Sequence, residues 1–136
     1  YDRLTAKKNG VEPTGHGSGG RNTHGAYPSS IVMEGGDGTL EDLIASTDKG
    51  ILVTRFWYMR VVDPMKVIVT GMTRDGTFWI ENGKIAYGIK NFRFNQSVLE
   101  MLNNVEMMSK PIFSGGAVVP AIKVRDFNFT SVTDAV

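Results

Sequence analysis

The side chains that could bind a metal are two histidines in a glycine-rich stretch, residues 9–27. His16 and His24 stand eight residues apart. This spacing matches neither the helical histidine pair of a zinc protease nor a zinc finger. We therefore predict that both rings bond to backbone or water. His16 could still approach a ligand closely, because its neighbours Gly15 and Gly17 lack side chains.

No other side chains form a recognisable catalytic set. The chain has no cysteine, which excludes a thiol nucleophile and thiolate ligands. Residues 15–20 resemble a dinucleotide-binding fingerprint only superficially, because no strand is expected before them and no helix after them. Several acidic residues fall mainly at expected turns and strand ends, where capping and solvation are their usual roles: Glu34, Asp37, Asp63, Asp75 and Glu81. We therefore assign no catalytic residue, metal ligand or cofactor to this chain.

Arginine and aromatic side chains alternate within one strand-like segment, residues 50–64. Successive side chains of a strand point to opposite faces, so Phe56 and Trp57 are separated and both faces carry apolar bulk. Such a strand is typical of a sandwich, a barrel, or an interface with another domain or subunit. Aromatics beside arginines are also typical of single-stranded nucleic-acid binding. The packed interpretation suits a two-faced strand better, because it needs no special ligand.

Hairpins and short helices are the elements that would position these residues. The expected turns fall at residues 63–64, 74–77 and 82–83. One expected helix begins after the N-cap Thr39 and closes at Gly50, and a second runs from Val98 to Val105. The pattern predicts a mainly β (α+β) fold: an antiparallel, hairpin-rich sheet or a barrel-like sandwich with about two short helices.

Composition limits the classes of partner. The 136 residues carry 41% apolar side chains and a formal charge of +1, which gives no general electrostatic reason to bind nucleic acid or an acidic membrane. The sequence shows no apolar run long enough to cross a bilayer and no signal peptide, so we expect a cytoplasmic protein. We expect residues 1–28 to be a glycine-rich loop leading in from a missing upstream domain, and 29–136 to be a β-rich domain that opens with a strand at 29–34.

An ordered series of segments resembles the C-terminal domain of the TldD/PmbA family, once described as modulators of DNA gyrase. The similarity covers almost the entire chain, and its specificity comes from the series, since any one segment alone is weak. The segments are Ala6–Lys8, Thr14–Gly17, Gly50–Tyr58, Asp63-Pro64, Thr70–Phe78, Ile80–Gly83, Lys90–Leu99 and Pro120–Val124.

The resemblance implies part of a longer, metallopeptidase-related protein that matures or degrades unstructured peptides. In the catalytic members, zinc is held by a His-Glu-x-x-x-His helix upstream of this domain and by a cysteine within it. This chain has neither, and the missing cysteine would fall between Met107 and Gly116. The parent therefore resembles the metal-free PmbA type more than the zinc-binding TldD type. Zinc stays possible in the full-length protein or in a partner subunit.

The residues and the resemblance together predict a wall of a peptide channel. The two-faced strand would pack against its own chain or a partner subunit, as a homo- or heterodimer within the family. An unstructured peptide could bind by adding a strand to a sheet edge. The expected groove or interface residues are Arg55, Tyr58 and Arg60, with His16 and Arg21 as loop contacts.

Two other functions stay open at this point. A self-contained hydrolase with an unusual site would require turnover by this chain alone. A nucleic-acid or DNA-gyrase-associated binding module would show an affinity that falls steeply with salt. The near-neutral charge counts against that module.

Overall fold

The computed structural model describes residues 1–19 and 25–134. Within them the chain forms three short helices: α1 (Arg3–Asn9), α2 (Leu40–Ala45) and α3 (Val98–Asn103). The strands are β1 (Lys49–Asp63), β2 (Ile68–Glu81), β3 (Lys84–Gly88), β4 (Asn91–Ser97), β5 (Val105–Met108), β6 (Ile112–Ser114), β7 (Ala117–Val119), β8 (Ile122–Val124) and β9 (Phe129–Thr133). The named strands pair antiparallel, which confirms the predicted mainly β fold.

The chain divides into two compact units, and the first comprises Tyr1–Met33 with Ile112–Val119. In this unit β6 and β7 form a hairpin around Gly115-Gly116. The strand expected at 29–34 is reduced to a single parallel bridge between Val32 and Val118, which flanking backbone hydrogen bonds support.

Helix α1 occupies part of the stretch that we expected to be a glycine-rich loop. Asp2 is its N-cap, and the carboxylate accepts a hydrogen bond of 2.7 Å from the backbone N–H of Thr5. That bond favours the ionised form and lowers the pKa of Asp2. Gly10 ends the helix in the left-handed conformation, at φ 64°.

The second unit comprises Glu34–Pro111 and Pro120–Val136 and contains the main sheet. Its strand order is β1-β2-β4-β9, with β3 also paired to β2, while β5 and β8 form a separate two-stranded sheet. Strands β3 and β4 pair with different ends of β2, on the side away from β1. The long antiparallel ladder between β1 and β2 is therefore the frame on which the other strands of this sheet assemble.

Strand β2 continues through the turn that we predicted at residues 74–77, so that prediction was wrong. Arg55 pairs with Arg74 and Val53 pairs with Thr77, which leaves Thr54 opposite two residues of β2. This two-against-one arrangement is a β-bulge. The residue types that suggested a turn instead give Asp75 and Gly76 positive φ angles inside a continuous strand.

A chain of ring contacts packs around Phe94, one of the buried side chains of this sheet. We call it the phenylalanine cluster, and its members are Phe56, Phe92, Phe94, Phe127 and Phe129. Neighbouring ring centroids lie 4.9 to 5.6 Å apart, the separation at which aromatic pairs attract each other. Phe94 is 3% exposed and lies over Gly71, its pairing partner in β2.

Helices α2 and α3 begin where the sequence predicts, but each ends before the predicted residue. Thr39 and Asp42 form a complete capping box, in which the hydrogen bond from the Thr39 backbone N–H lowers the pKa of Asp42. Helix α2 then ends at Ser46, and Gly50, the expected closing residue, lies in β1. Val105, expected at the end of the second helix, instead pairs with β8. Both expected helices are shortened because the following residues are paired in sheets.

Gly71→Ala tests whether the Phe94 ring requires a glycine beneath it. An added Cβ would stand 2.8 Å from Phe94 Cζ and 3.1 Å from the Trp57 carbonyl oxygen, and the buried ring has little room to move. We expect a loss of about 1–3 kcal/mol in the free energy of unfolding, measured by urea denaturation. Gly88→Ala is the matched control, because its nearest neighbour would be 4.0 Å away. Equal stabilities for the two variants would contradict this account of the core.

Candidate functional site

The bulge in β2 determines where the charged side chains of the sheet meet. Asp75 and Gly76 have φ angles of 59° and 132°, in the region that favours glycine. The Thr54 hydroxyl lies 3.2 Å from the carbonyl oxygen of Asp75 and 2.9 Å from that of Gly76, so it can donate to either. The side chain of Thr54 in β1 therefore stabilises the bulge, in addition to the backbone conformation of Asp75 and Gly76.

Two arginines, a tryptophan and an aspartate come together at this bulge, and we call them the Arg–Trp cluster: Arg55, Trp57, Arg74 and Asp75. Arg55 Nη1 lies 2.6 Å from Asp75 Oδ2, and Arg74 Nε lies 3.5 Å from Asp75 Oδ1. The guanidinium carbons of Arg55 and Arg74 lie 4.5 and 5.1 Å from the Trp57 ring centroid. Both cations are within the range of attraction to the ring.

The Arg–Trp cluster has more hydrogen-bond donors than acceptors. Two guanidinium groups share one carboxylate, so the formal charge of the cluster is +1. The indole Nε1–H of Trp57 is buried and has no acceptor among the described residues. A buried donor without a partner costs about 1–3 kcal/mol. Buried polar groups normally have a hydrogen-bond partner, so this indole N–H is an exception among the described residues.

An open groove of about 330 Å³ adjoins the cluster. Its lining comes from the bulge, from the end of β3 and from the start of β4: Arg74, Asp75, Gly76, Thr77, Phe78, Gly88, Ile89 and Asn91. At its polar end the Thr77 hydroxyl lies 2.8 Å from that of Thr73 and 3.0 Å from Asn91 Oδ1. The Thr73 hydroxyl also accepts from the backbone N–H of Phe92. These bonds fix the polar wall of the groove.

The β1–β2 hairpin ends in a surface that we call the apolar arm. A second bulge, with Tyr58 at φ 54°, sets Tyr58 and Met59 opposite Gly71. Beyond it the apolar side chains are exposed, and Met65 at the tip is 91% exposed. The exposed apolar residues of the arm are Tyr58, Met59, Val61, Val62, Met65 and Val67. We expected both faces of β1 to be covered. Among the described residues, only the beginning and middle of β1 are partly covered, and the side chains from Tyr58 to Val62 are exposed.

The structure places the predicted site residues in different surroundings. Arg55 belongs to the Arg–Trp cluster, and the Tyr58 ring stands edge-on to Trp57 at 6.1 Å between centroids. Arg60 is exposed on the apolar arm, opposite Thr70. His16 lies in the first unit, where its Nδ1 is 2.8 Å from the Thr14 hydroxyl.

Arg21 and His24 lie outside the described residues, so the expectations for them stand unchanged. The groove and interface roles of the predicted site residues stay predictions.

Arg74 and Asp75 are site residues that the sequence did not reveal. An aspartate followed by glycine usually marks a surface turn, and Asp75-Gly76 has that composition. The sequence did contain a signal, since Asp75-Gly76 between two long apolar runs is also compatible with a β-bulge.

The described residues do not fit a zinc site. In residues 1–19 and 25–134, no three His, Cys, Asp or Glu side chains converge so that they could hold a metal ion. A structural or catalytic zinc needs at least three protein ligands. Any zinc in the complete protein must therefore take ligands from outside these residues.

No helix among the described residues is long and apolar enough to cross a membrane.

The fold and its segments define a C-terminal domain of metallopeptidase-related proteins. Residues 1–131 match the family model described as PmbA/TldA metallopeptidase C-terminal domain. The chain belongs to the TldD/PmbA family, as its sequence segments indicate.

Relatives of known structure or sequence support this membership. A metalloprotease TldD homolog of Buchnera aphidicola subsp. Acyrthosiphon pisum (strain APS) is 31% identical over 111 residues, which are 79% of this chain and 22% of the relative. The crystal structure of TldE from Thermococcus kodakarensis matches with a TM-score of 0.75 and 26% identity, over 96% of this chain and 30% of that one.

A proposed modulator of a DNA gyrase from Thermotoga maritima has the same fold, with a TM-score of 0.80 at 24% identity, over 95% of this chain and 29% of that one. This chain thus spans less than a third of the length of these relatives. Both TldD and TldE names occur among them, so the closer resemblance to the metal-free type stays a prediction.

The free energy of unfolding should depend on the backbone conformation of the bulge more than on the ion pair between Arg55 and Asp75. Asp75→Asn removes an exposed pair and should change the free energy of unfolding by less than about 1 kcal/mol. Gly76→Ala should cost about 1–3 kcal/mol, because its φ of 132° strains any side chain and its Cβ would stand 2.9 Å from the Phe78 ring. Urea denaturation compares the two, and a larger loss in Asp75→Asn would contradict the prediction.

Proposed function

We propose that this domain forms one wall of a channel for unstructured peptides in a cytoplasmic, peptidase-like protein. The observation that carries the proposal is the outer edge of β1. This strand is 15 residues long, and among the described residues it pairs with β2 alone. Its other edge therefore offers a row of backbone N–H and C=O groups that an extended peptide can pair with.

Strand addition suits peptides of varied sequence. Main-chain hydrogen bonds supply the affinity, and the side chains of the peptide contribute selectivity only where pockets meet them. The pairing of β1 with β2 is regular over Lys49–Val53, before the first register shift. That regular stretch is the most suitable place for a peptide strand, because bulges twist an edge and interrupt pairing.

The apolar arm supports the second part of the proposal, that this domain packs against another part of the protein or a partner subunit. Exposed valine and methionine side chains on a two-stranded arm leave apolar area in water, and such contiguous surfaces usually mark interaction sites. The family contains much longer proteins, and a homo- or heterodimer within the family would cover the arm.

A role near DNA gyrase is the second candidate. The Thermotoga maritima protein is described as a proposed modulator of a DNA gyrase, and that description belongs to that protein. Nucleic-acid binding would lose affinity steeply as salt rises, whereas strand addition depends on salt only weakly. The formal charge of +1 favours the peptide role.

Backbone methylation of a peptide tests strand addition directly. In a β-ladder, alternate N–H groups of the added strand point toward the edge strand. We expect that N-methylation of every residue in the binding segment abolishes binding to the full-length protein, while methylation of every second residue leaves one unmethylated edge and much of the affinity. Fluorescence anisotropy with a labelled, unstructured peptide measures both. A scrambled peptide of the same composition is the control and should bind similarly. Unchanged binding of the fully methylated peptide would contradict strand addition.

Charge on the apolar arm tests whether that surface is covered in the complete protein. Val61→Glu would place a carboxylate in a buried interface, which is costly without a partner charge. We expect dissociation of subunits in sedimentation velocity, or a loss of stability if the cover comes from the same polypeptide. Ile85→Glu is the matched control, an exposed apolar position in β3. Unchanged assembly and stability in Val61→Glu would show that the arm stays in water.

A further inference from the structure

We propose that the Arg–Trp cluster and the groove beside it bind a carboxylate group of the peptide, with Arg74 as the contacting residue. This inference rests on the proposed peptide-binding function and adds a charged anchor to it. A carboxylate at the C-terminus of the peptide and one on an Asp or Glu side chain present the same chemistry to an arginine.

The hydrogen-bonding state of Arg74 is the first argument. Its Nε lies 3.5 Å from Asp75, and neither of its terminal amino groups makes a hydrogen bond to a described residue. A guanidinium has five N–H donors in a planar fork. The terminal pair matches the two oxygens of a carboxylate, which is the strongest geometry for this kind of contact.

Charge is the second argument. Asp75 is the acidic member of the cluster, and Arg55 Nη1 already holds it at 2.6 Å. The negative charge of Asp75 is thus largely balanced by Arg55, and Arg74 supplies the remaining positive charge. The other residues that line the groove are uncharged. An incoming anion therefore meets a net positive wall with no second acid to repel it.

The rigidity of Arg74 is the third argument. Free arginine side chains lose considerable rotamer entropy when they bind a ligand. The Trp57 ring and the Asp75 carboxylate already restrict the Arg74 guanidinium, whose side chain is 34% exposed. Part of the ordering cost is met before the peptide arrives, so a contact with this residue retains more of its binding energy.

The path of a bound peptide fits this placement. A peptide strand on the outer edge of β1 would lie two strand spacings from β2, or roughly 10 Å. Three residues of extended chain reach about that distance. The last residues of the peptide would cross the face of β1 near Arg55 and bring a carboxylate to Arg74.

The test uses the full-length protein and three labelled peptides that share one unstructured, otherwise acid-free sequence. The first has a free C-terminal carboxylate, the second a C-terminal amide, and the third an amide with one glutamate near its end. We expect amidation to weaken binding about tenfold or more. In the third peptide, recovered affinity identifies a side-chain carboxylate as sufficient, and continued weakness identifies the C-terminus as the source.

Variants assign the effect to Arg74. In Arg74→Gln the free acid and the amide should bind equally, at the level of the amide. Arg74→Lys keeps the charge but loses the planar fork, so it should retain only part of the preference. Arg125→Gln is the matched control, an exposed arginine with acidic neighbours at 3.6 and 3.8 Å, and it should keep the full preference.

The outcomes separate this inference from the function that it rests on. If all three peptides bind equally to the unaltered protein, strand addition stands and the carboxylate site is wrong. If the preference survives in Arg74→Gln while urea denaturation shows a folded protein, the contact lies elsewhere and the assignment is wrong. If no peptide binds, the proposed function and this inference both fail.

Discussion

The ladder between β1 and β2 continues past Asp75 because two consecutive residues with positive φ angles accommodate one extra residue of β2 there. Without that bulge the second half of β2 would shift by one residue against β1, and its side chains would exchange faces. The bulge also brings Asp75 to Arg55 and so assembles the Arg–Trp cluster. One local backbone conformation thus sets both the register of the ladder and the charged site on it.

The sequence predicted helix starts and turns well, because these depend on the conformational preferences of a few neighbouring residues. Thr39 as an N-cap, the Asn82-Gly83 turn and the Asp63-Pro64 turn all occur as expected, and Asn82 has the positive φ that its turn requires. The errors arose where hydrogen bonds with a distant strand determine the conformation of a segment. Residues 74–77 have the composition of a turn, but ladder hydrogen bonds with β1 keep them in a strand. Helix α3 stops early because Val105 gains a partner in β8.

Only part of the candidate site could be predicted from the sequence. Arg55 was identified from its position among aromatics, and its role stays a prediction. Arg74 and Asp75 were not identified, because they meet Arg55 across two strands and 20 residues of chain separate Arg55 from Asp75. Side chains brought together by register cannot be found from spacing along one strand. The sequence likewise does not show that Trp57 Nε1 lacks an acceptor among the described residues, since this depends on which neighbours cover the ring.

The exposed tip of the apolar arm also bears on quality control in the cell. If the complete protein covers Val61, Val62 and Met65, as proposed above, a polypeptide that has folded its sheet but lacks this cover presents an apolar surface that chaperones and proteases recognise. Such an arm would mark an unassembled molecule for retention or removal until its cover is in place. The same exposed residues would then limit how many incomplete copies persist.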